Sequence, residues 1–406
     1  MTTEDRRSLE TTFREEWPRA VGILTRVLGD LSLAEDAVQD AFAKALERWP
    51  RDGTPSSPGA WIIATARNGA IDRIRRERAF ARKAELLARL ADVPSDEDGD
   101  VSSIPDERLA LLFTCCHPAL AVEARIALTL REVAGLQTPE IARAFLVTEA
   151  TLAQRLVRAK RRLRETGIPF RIPPDHLLPD RVPDVLRVVY LVFNEGYAAT
   201  SGDVLVRREL CAEAIRLAKL TCVLMPDEAE ALGLLALLLL QDARSDARVG
   251  PDGELVLLSD QDRALWDGAS IEEGLRVLRR AETLRRPGPY QLQAAIAAGH
   301  AEGATPAVIA ATYAALEQVD PSPIVRLNRA VAIALAGHVE EGLALIEAID
   351  GLEGYSYLPA ARADLLRRLG RREEAATGYR EALALTDNVP ERRFLERRLR
   401  EVSAGG

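Results

Sequence analysis

The first strongly periodic segment of the chain lies between residues 32 and 49. Its apolar residues recur at the three- and four-residue intervals that form one face of an α-helix. Ser32 and Glu35 have the spacing of a capping box, which predicts that this helix begins at Leu33. The polar edge of the predicted helix carries Asp36, Gln39, Asp40 and Lys44.

A second helix is predicted after a loop rich in proline and glycine at residues 50–59. It begins at Ala60, and its apolar side starts with Trp61 and ends shortly before a cluster of arginines. These first two helices form one small helical unit.

The segment 138–163 has the spacing of a helix-turn-helix. Thr138 and Pro139 are typical of a helix start, and a short helix, a turn at 146–148 and a longer helix to about Leu163 follow. The longer helix has apolar residues at intervals of four, three and four, which predict a buried stripe of Leu152, Leu156, Ala159 and Leu163. Its opposite side then presents Thr151, Gln154, Arg155 and Arg158 to the solvent.

The C-terminal half has the pattern of paired helices. Segments 325–350 and 357–388 align at a shift of 33 residues, and each reads as a helix, a glycine turn and a helix. Two weaker pairs precede them, namely Glu209–Leu224 with Glu228–Gln241 and Ile271–Leu284 with Tyr290–Gly299. The sequence therefore predicts a tetratricopeptide-like domain.

These patterns predict an all-α protein of several domains. A chain of 406 residues exceeds one compact core, and its 5% aromatic content favours helix over sheet. Residues 91–107 hold seven acids and no base, which indicates a solvated linker. We predict a helical domain at 1–83, the acidic linker at 84–107, the helix-turn-helix domain at 108–168 and the helical-hairpin domain at 169–406.

Positive charge is concentrated in two islands although the net charge of the chain is −8. Residues 61–83 carry seven bases and two acids, and residues 143–164 carry seven bases and one acid. Clustered arginine on helices is typical of nucleic-acid binding, because each neutralised phosphate releases a counterion. A single charge run is more often a solvated helix face, but two islands in helical contexts favour nucleic acid.

Candidate chemistry is sparse. Cys115, Cys116 and His117 end an apolar stretch and read as core rather than as a zinc or redox site. Two polar clusters, at 194–197 and 260–263, are candidates for lining a pocket, although capping and turn roles between helices are the favoured interpretation. We expect no catalytic centre, metal or cofactor.

The bulk features indicate a cytoplasmic protein. The four cysteines form no disulfide framework, the first residues contain no apolar signal segment, and the longest apolar run, at 231–240, has ten residues.

The order of these segments strongly resembles the extracytoplasmic-function (ECF) sigma factors of bacterial RNA polymerase. AEDAVQDAFAKALERW (34–49) resembles their segment that docks on the polymerase clamp helices, WIIATARNGAIDRIRRERA (61–79) the segment that opens and reads the −10 element, and TPEIARAFLVTEATLAQRLVRAKRRL (138–163) the domain that reads the −35 element. The resemblance implies core-polymerase contacts by Asp36, Gln39, Asp40 and Phe42. It implies promoter contacts by Trp61, Arg67, Asn68, Asp72, Arg75, Arg76, Thr148, Thr151, Gln154, Arg155 and Arg158.

The remaining chain resembles the subgroup of these factors with a tetratricopeptide-like extension, in the stretches FTCCHPAL, YLVFNEGYAAT, ARSDARVGPDGELVLLSDQDRALW and PYQLQAAIAAGHA. That resemblance implies a small DGPF/YCII-like protein as a partner in place of a membrane anti-sigma factor. The chain departs from the family at Leu146, where the turn usually has glycine, and at Ala150 and Ala153.

The predicted function is that of a sigma factor, which acts by binding rather than by catalysis. Two alternatives stay open at this level. One is a helix-turn-helix transcriptional regulator whose solenoid senses a ligand or protein, and the other is a scaffold in which the sigma-like half is inert.

Overall fold

The computed structural model describes residues 3–76, 104–145, 147–168, 170–173, 177–198, 201–202 and 205–403. The chain divides into two compact units, Met1–Val188 and Val189–Gly406. Helices dominate both units, which confirms the predicted all-α class. No helix among the described residues is both long enough and apolar enough to cross a membrane.

The first unit begins with three helices, α1 (Thr3–Leu28), α2 (Leu31–Asp52) and α3 (Pro58–Arg76). Helix α1 packs against both of the others. Their shared core contains Trp17, Leu24 and Ile62, all fully buried.

Helix α2 begins two residues earlier than the capping-box pattern predicts. Its cap is Asp30, whose Oδ1 accepts the backbone N–H groups of Ser32 at 2.8 Å and Leu33 at 3.2 Å. The preceding Gly29 has a φ of 71°, which turns the chain sharply enough to place the Asp30 carboxylate over the helix end. The predicted Ser32 cap is therefore wrong, and Glu35 makes a different contact, described below.

The helix-turn-helix is confirmed. Helix α4 (Ile104–Cys115) and helix α5 (Val122–Leu128) precede it, and α5 continues into a π-helical turn at Thr129–Val133. Helices α6 (Thr138–Ala144) and α7 (Glu149–Glu165) then form the motif. The predicted stripe of α7 is buried, with exposures of 1% at Leu152, 5% at Leu156, 4% at Ala159 and 7% at Leu163.

The predicted domain boundaries at 84–107 and 168/169 compare differently with the structure. Most of the predicted acidic linker, 84–103, and the turn residue Leu146 lie outside the described residues, whereas 104–107 form the first turn of α4. Helix α8 (Leu178–Tyr197) begins in the predicted C-terminal domain, yet its first half belongs to the first unit.

Arg181 and Asp184 tie the first half of α8 to the helix-turn-helix domain. Arg181 donates to the carbonyl oxygen of Phe113 at 2.8 Å, and Asp184 pairs with Arg125.

The second unit is built from helix pairs. They are α9 (Arg208–Leu224), α10 (Ala229–Asp242), α11 (Gly268–Thr283), α12 (Pro289–Glu302), α13 (Pro306–Val319), α14 (Pro323–Leu335), α15 (Val339–Glu347), α16 (Tyr357–Arg368), α17 (Arg372–Leu385) and α18 (Val389–Ser403). All four predicted helix pairs are present. Gly337 and Gly370, at equivalent positions of the two aligned repeats, have φ values of 103° and 77°, as a glycine turn after a helix requires.

The second unit departs from an open solenoid at its end. A two-residue strand, β1 (Ser201–Gly202), pairs in parallel with β2 (Asp387–Asn388). Helix α18 then contacts the segment after α10, where Arg397 pairs with Glu254 at 2.7 Å and Pro390 accepts a backbone hydrogen bond from Leu255 at 3.3 Å. The end of the unit is thereby fixed to its beginning.

Candidate polymerase and nucleic-acid interface

Helix α2 presents a polar edge, as predicted. Asp36, Gln39 and Asp40 are exposed on this edge. Phe42 is only 4% exposed, and its ring lies 4.8 Å from the ring of Phe13. The side chain of Phe42 therefore belongs to the core in this arrangement, and its predicted role in core-polymerase binding stays a prediction.

Helix α3 carries the predicted −10 residues. Trp61 is half-buried and packs edge-to-face on Trp49, with ring centroids 5.5 Å apart. Arg67 is half-buried and Asn68 is exposed. The remaining predicted contacts lie on the last turns of α3, and their side chains are outside the described residues; they are Asp72, Arg75 and Arg76.

Helix α7 presents the predicted −35 residues on its outer side. The hydroxyl of Thr148 caps the helix by accepting the N–H of Thr151 at 3.1 Å. Arg158 donates to the side-chain oxygen of Gln154 at 3.2 Å, and both residues are exposed, while Arg155 is half-buried. This arrangement suits insertion into the major groove, where arginine pairs with guanine edges or phosphates.

Val157 is a candidate contact that the pattern analysis missed. Its side chain is 65% exposed on α7, between the exposed Arg158 and the buried Leu156. An apolar side chain on the outer side of a recognition helix suits the methyl group of thymine. Val157 lies outside the predicted buried stripe of α7, so the sequence pattern could have identified it as an exposed apolar residue.

The inner sides of α2 and α7 meet in a buried charge cluster, formed by Glu35, Arg131, Glu132 and Lys160. The ammonium of Lys160 lies 3.1 Å from Glu132 Oε1 and also pairs with Glu35. Arg131 Nε lies 3.6 Å from Glu35 Oε1. Two bases and two carboxylates thus balance at the contact between the first three helices and the helix-turn-helix domain.

Burial and mutual attraction act in opposite directions in this cluster. Burial raises the pKa of Glu132, and the attraction of Lys160 only partly offsets that effect. Burial alone would lower the pKa of Lys160, but the neighbouring Glu132 and Glu35 outweigh it, so that the pKa is raised. The lysine is therefore held in its charged form.

Aromatic side chains of α1 complete this contact. Trp17 Nε1 donates to Glu132 Oε2 at 3.4 Å, and the guanidinium of Arg131 lies 4.6 Å from the centre of a Trp17 ring. At the rim, Arg164 pairs with Asp30 at 2.9 Å. Helix α1 thus joins α2 in holding the helix-turn-helix domain.

This contact corrects the interpretation of the second basic island. Lys160 and Arg164 are two of its seven bases, and both pair with acids inside the protein. The sequence could have identified Arg131 and Glu132, because two charged residues inside the apolar stretch ALTLREVAGL are expected to have buried partners. The π-helical turn carries both residues, and such turns are frequent at functional positions.

Cys115 and Cys116 are core residues, as predicted. Both are fully buried, and burial raises the pKa of the Cys116 thiol to about 12 although Thr129 contacts its sulfur. Within the described ranges, no group of three or more histidine, cysteine or acidic side chains is placed to hold a metal ion.

The three-helix domain followed by a helix-turn-helix domain defines the class of sigma-70 proteins. The profile of Sigma-70 region 2 matches residues 12–80, and that of Sigma-70, region 4 matches residues 110–163. A family of unknown function (DUF6596) matches residues 181–282.

Relatives narrow this class to one family. The ECF RNA polymerase sigma factor SigK of Mycobacterium ulcerans (strain Agy99) is 30% identical over 151 residues, which cover 36% of this chain and 78% of that protein. SigK of Mycobacterium bovis (strain BCG / Pasteur 1173P2) is 31% identical over the same shares. An uncharacterized protein of Rhizobium meliloti (strain 1021) is 45% identical over 95% of this chain and 94% of its own length.

The chain belongs to the ECF sigma factors, and it carries an additional C-terminal domain. It is a sigma factor that directs transcription initiation, and the family implies core RNA polymerase and promoter DNA as its partners. Sigma factors are not a family of enzymes.

Proposed function

We propose that the two promoter-reading domains of this sigma factor are in contact in the free protein. They must separate before the protein can direct transcription initiation. The observation that carries the proposal is the position of helices α2 and α7. Their outer sides are exposed, while their inner sides share the charge cluster of Glu35, Arg131, Glu132 and Lys160.

The outer side of α2 is the proposed core-polymerase contact, through Asp36, Gln39 and Asp40. The exposure of these three residues supports this assignment, whereas Phe42 packs within the first three helices, 4.8 Å from the ring of Phe13. The proposed −35 contact is the outer side of α7, formed by Thr148, Thr151, Gln154, Arg155 and Arg158. The proposed −10 contact is helix α3, with Trp61, Arg67, Asn68, Asp72, Arg75 and Arg76.

The spacing of the promoter elements gives the reason for opening. The −10 and −35 elements lie about 25 base pairs apart, or about 85 Å along B-form DNA. Two touching domains of this size, each roughly 25–30 Å across, span about 60 Å at most. Because Lys160 on α7 contacts Glu35 on α2, the domains in this arrangement are too close to read both elements.

We propose that the C-terminal domain regulates the sigma factor. It does so by binding another molecule rather than by catalysis. A small DGPF/YCII-like partner stays a prediction, and co-purification of the two proteins with and without residues 189–406 tests it.

Distance measurement between spin labels tests the opening. The four native cysteines are buried, so labels introduced by Arg48→Cys on α2 and Glu165→Cys on α7 react selectively. We expect one short distance in the free protein, a longer one after core polymerase is added, and a mixture of both in Lys160→Met. Arg162→Met, which removes an exposed charge from the same helix, is the matched control and keeps the short distance.

Two results would contradict the proposal. A short distance that persists in the polymerase complex would show that the domains act while in contact. A Lys160→Met protein with an unchanged distance would show that the charge cluster does not hold them together. Promoter-dependent transcription by the unlabelled protein is measured separately, so that loss of sigma activity is not confused with either result.

A further inference from the structure

A second charged cluster lies within the C-terminal unit. It combines Tyr197 from the end of α8, Arg244 and Arg248 from the segment after α10, and Trp266 from the loop before α11. Arg244 Nη2 donates to the Tyr197 hydroxyl at 3.0 Å, and the guanidinium carbon of Arg248 lies 3.7 Å from the centre of the Tyr197 ring. Arg244 also lies 5.8 Å from the centre of a Trp266 ring.

A further basic group, that of Arg263, borders this cluster. The guanidinium of Arg263 lies 4.7 Å from the centre of a Trp266 ring, and it donates to the backbone oxygen of His300 at 3.0 Å. Tyr197 and Arg263 come from the two polar segments that the sequence analysis singled out, at 194–197 and 260–263. The fold thus connects the two segments through Arg244, which contacts Tyr197, and through Trp266, over which both Arg244 and Arg263 lie.

Among the described residues, the arginines of this cluster have no acidic partner. None of the ion pairs between residues that the structure describes involves Arg244, Arg248 or Arg263. The nearby acids Glu195 and Asp246 are paired with Arg207 and Arg208 instead. Burying a cation without a counter-ion is unfavourable, and a bound anion relieves that cost.

Two buried N–H groups in the cluster also lack an acceptor. They are Nε of Arg244 and Nε1 of Trp266, each without a hydrogen-bond partner in the described part of the chain. Buried donors are normally satisfied, so these two N–H groups are placed to donate to a bound acceptor.

The groups around these two donors are also basic. Burial, Arg244 and Arg263 together lower the pKa of His300 to about 4, and burial lowers the pKa of Arg244. Burial is the main cause of both shifts, and for His300 the positive charges of Arg244 and Arg263 add to it. Tyr197, Arg244, Trp266 and His300 are all half-buried, so the cluster is shielded but still reached by solvent.

We propose that this cluster is a binding site for an anionic group, a carboxylate or a phosphate, on a small organic molecule. The anion accepts hydrogen bonds from Arg244 Nε and Trp266 Nε1, and Arg248, whose guanidinium lies over the Tyr197 ring, contributes positive charge. The planar fork of a guanidinium suits both anions. This inference does not depend on the promoter contacts or on the opening of the sigma domains.

Fluorine NMR of the full chain labelled with 5-fluorotryptophan tests the site directly. The protein has four tryptophans, and Trp266 is the only one in the C-terminal unit, so Trp266→Phe assigns its signal. Inorganic phosphate, acetate and a short acidic peptide are titrated separately, with sodium chloride holding the ionic strength constant. We expect the Trp266 signal alone to shift, and the shift to saturate with phosphate or acetate.

Variants distinguish a built site from general charge effects. Arg244→Gln is expected to raise the half-saturating concentration at least tenfold, and Arg244→Lys to raise it less. Arg279→Gln, which removes an exposed charge from α11, is the matched control and leaves the titration unchanged. If Arg244→Gln does not fold, thermal denaturation tests the site instead. We expect phosphate to raise the melting temperature of the wild-type protein in a saturable way, and to leave that of Trp266→Phe unchanged.

Three outcomes would overturn the proposal. No saturable shift with any probe would show that the cluster is a structural feature without a ligand. Saturation that is unchanged in Arg244→Gln would place the anion elsewhere. Binding of the acidic peptide without binding of phosphate or acetate would assign the site to a side chain of a partner protein rather than to a small molecule.

Discussion

Single side chains decide which faces of the sigma domains are free. Lys160 lies in a basic run that resembles a DNA-facing surface, yet it is directed inward to two carboxylates. Its neighbour Arg158, two residues away, is exposed. A side chain's position around the helix, rather than its charge, therefore determines whether it is available to DNA.

Arg155 on α7 provides a test of base readout. If Arg155 pairs with a base edge, Arg155→Ala is expected to cost about 1–3 kcal/mol of discrimination at one position of the −35 element. Binding to a set of single-base promoter variants measures this loss. An equal loss on every variant would instead assign Arg155 to a phosphate, which is the behaviour expected of the control Arg161→Ala.

Glu132 provides a test of the charge cluster through pH. Because its pKa is raised in the folded protein, its favourable contribution is complete below the ordinary value of 4.5 and is lost as the pH rises through the raised value. Glu132→Gln cannot ionise, so the variant is expected to gain stability relative to wild type as the pH rises above 4.5. Urea denaturation at a series of pH values measures the difference. A difference that is independent of pH would contradict the direction of the shift.

Among the elements, those with strong local periodicity could be predicted from the sequence. The buried stripe of α7 and the four helix pairs of the C-terminal unit depend on spacing within one segment, and they are present as expected. The position of Phe42 and the partner of Glu35 depend on residues distant in sequence, Phe13 in one case and Lys160 in the other. Periodicity carries no information on such partners.

The close approach of α14 and α15 provides a test of helix packing. A Cβ added at Gly342 would lie 2.7 Å from the carbonyl oxygen of Ala330 and 2.7 Å from the Cβ of Ala334. Because one of these atoms is backbone, the helices must separate, and Gly342→Ala is expected to lose about 1–3 kcal/mol of stability.

Gly268→Ala is the matched control, because it also lies in a helix but meets no atom within 4 Å. Urea denaturation of both variants measures the contrast, in which Gly268→Ala is expected to be neutral or slightly stabilising. Equal stability of the two variants would mean that α14 and α15 adjust without cost.

At the scale of the whole molecule, helix α8 belongs to both units. Arg181 and Asp184 in its first half contact the helix-turn-helix domain, although they follow the proline-rich junction that the sequence assigns to the C-terminal domain. A boundary placed at residue 168 therefore separates groups that are in contact.

Truncation at two positions tests this assignment. A chain that ends after Gly167 loses Arg181 and Asp184, whereas one that ends after Val188 keeps both. We expect the longer truncation to melt at a higher temperature and to support stronger promoter-dependent transcription with core polymerase. Identical melting temperatures would show that the first half of α8 does not stabilise the helix-turn-helix domain.

The pairing of β1 with β2 has a consequence for the order of events during synthesis. The partner of Ser201 is Asp387, so the first strand of the C-terminal unit must wait for a segment that leaves the ribosome much later. At ordinary rates of translation that delay is about 10–40 seconds. The promoter-reading half is complete before the delay begins, so each newly made molecule passes through an interval in which that half exists without a finished C-terminal domain.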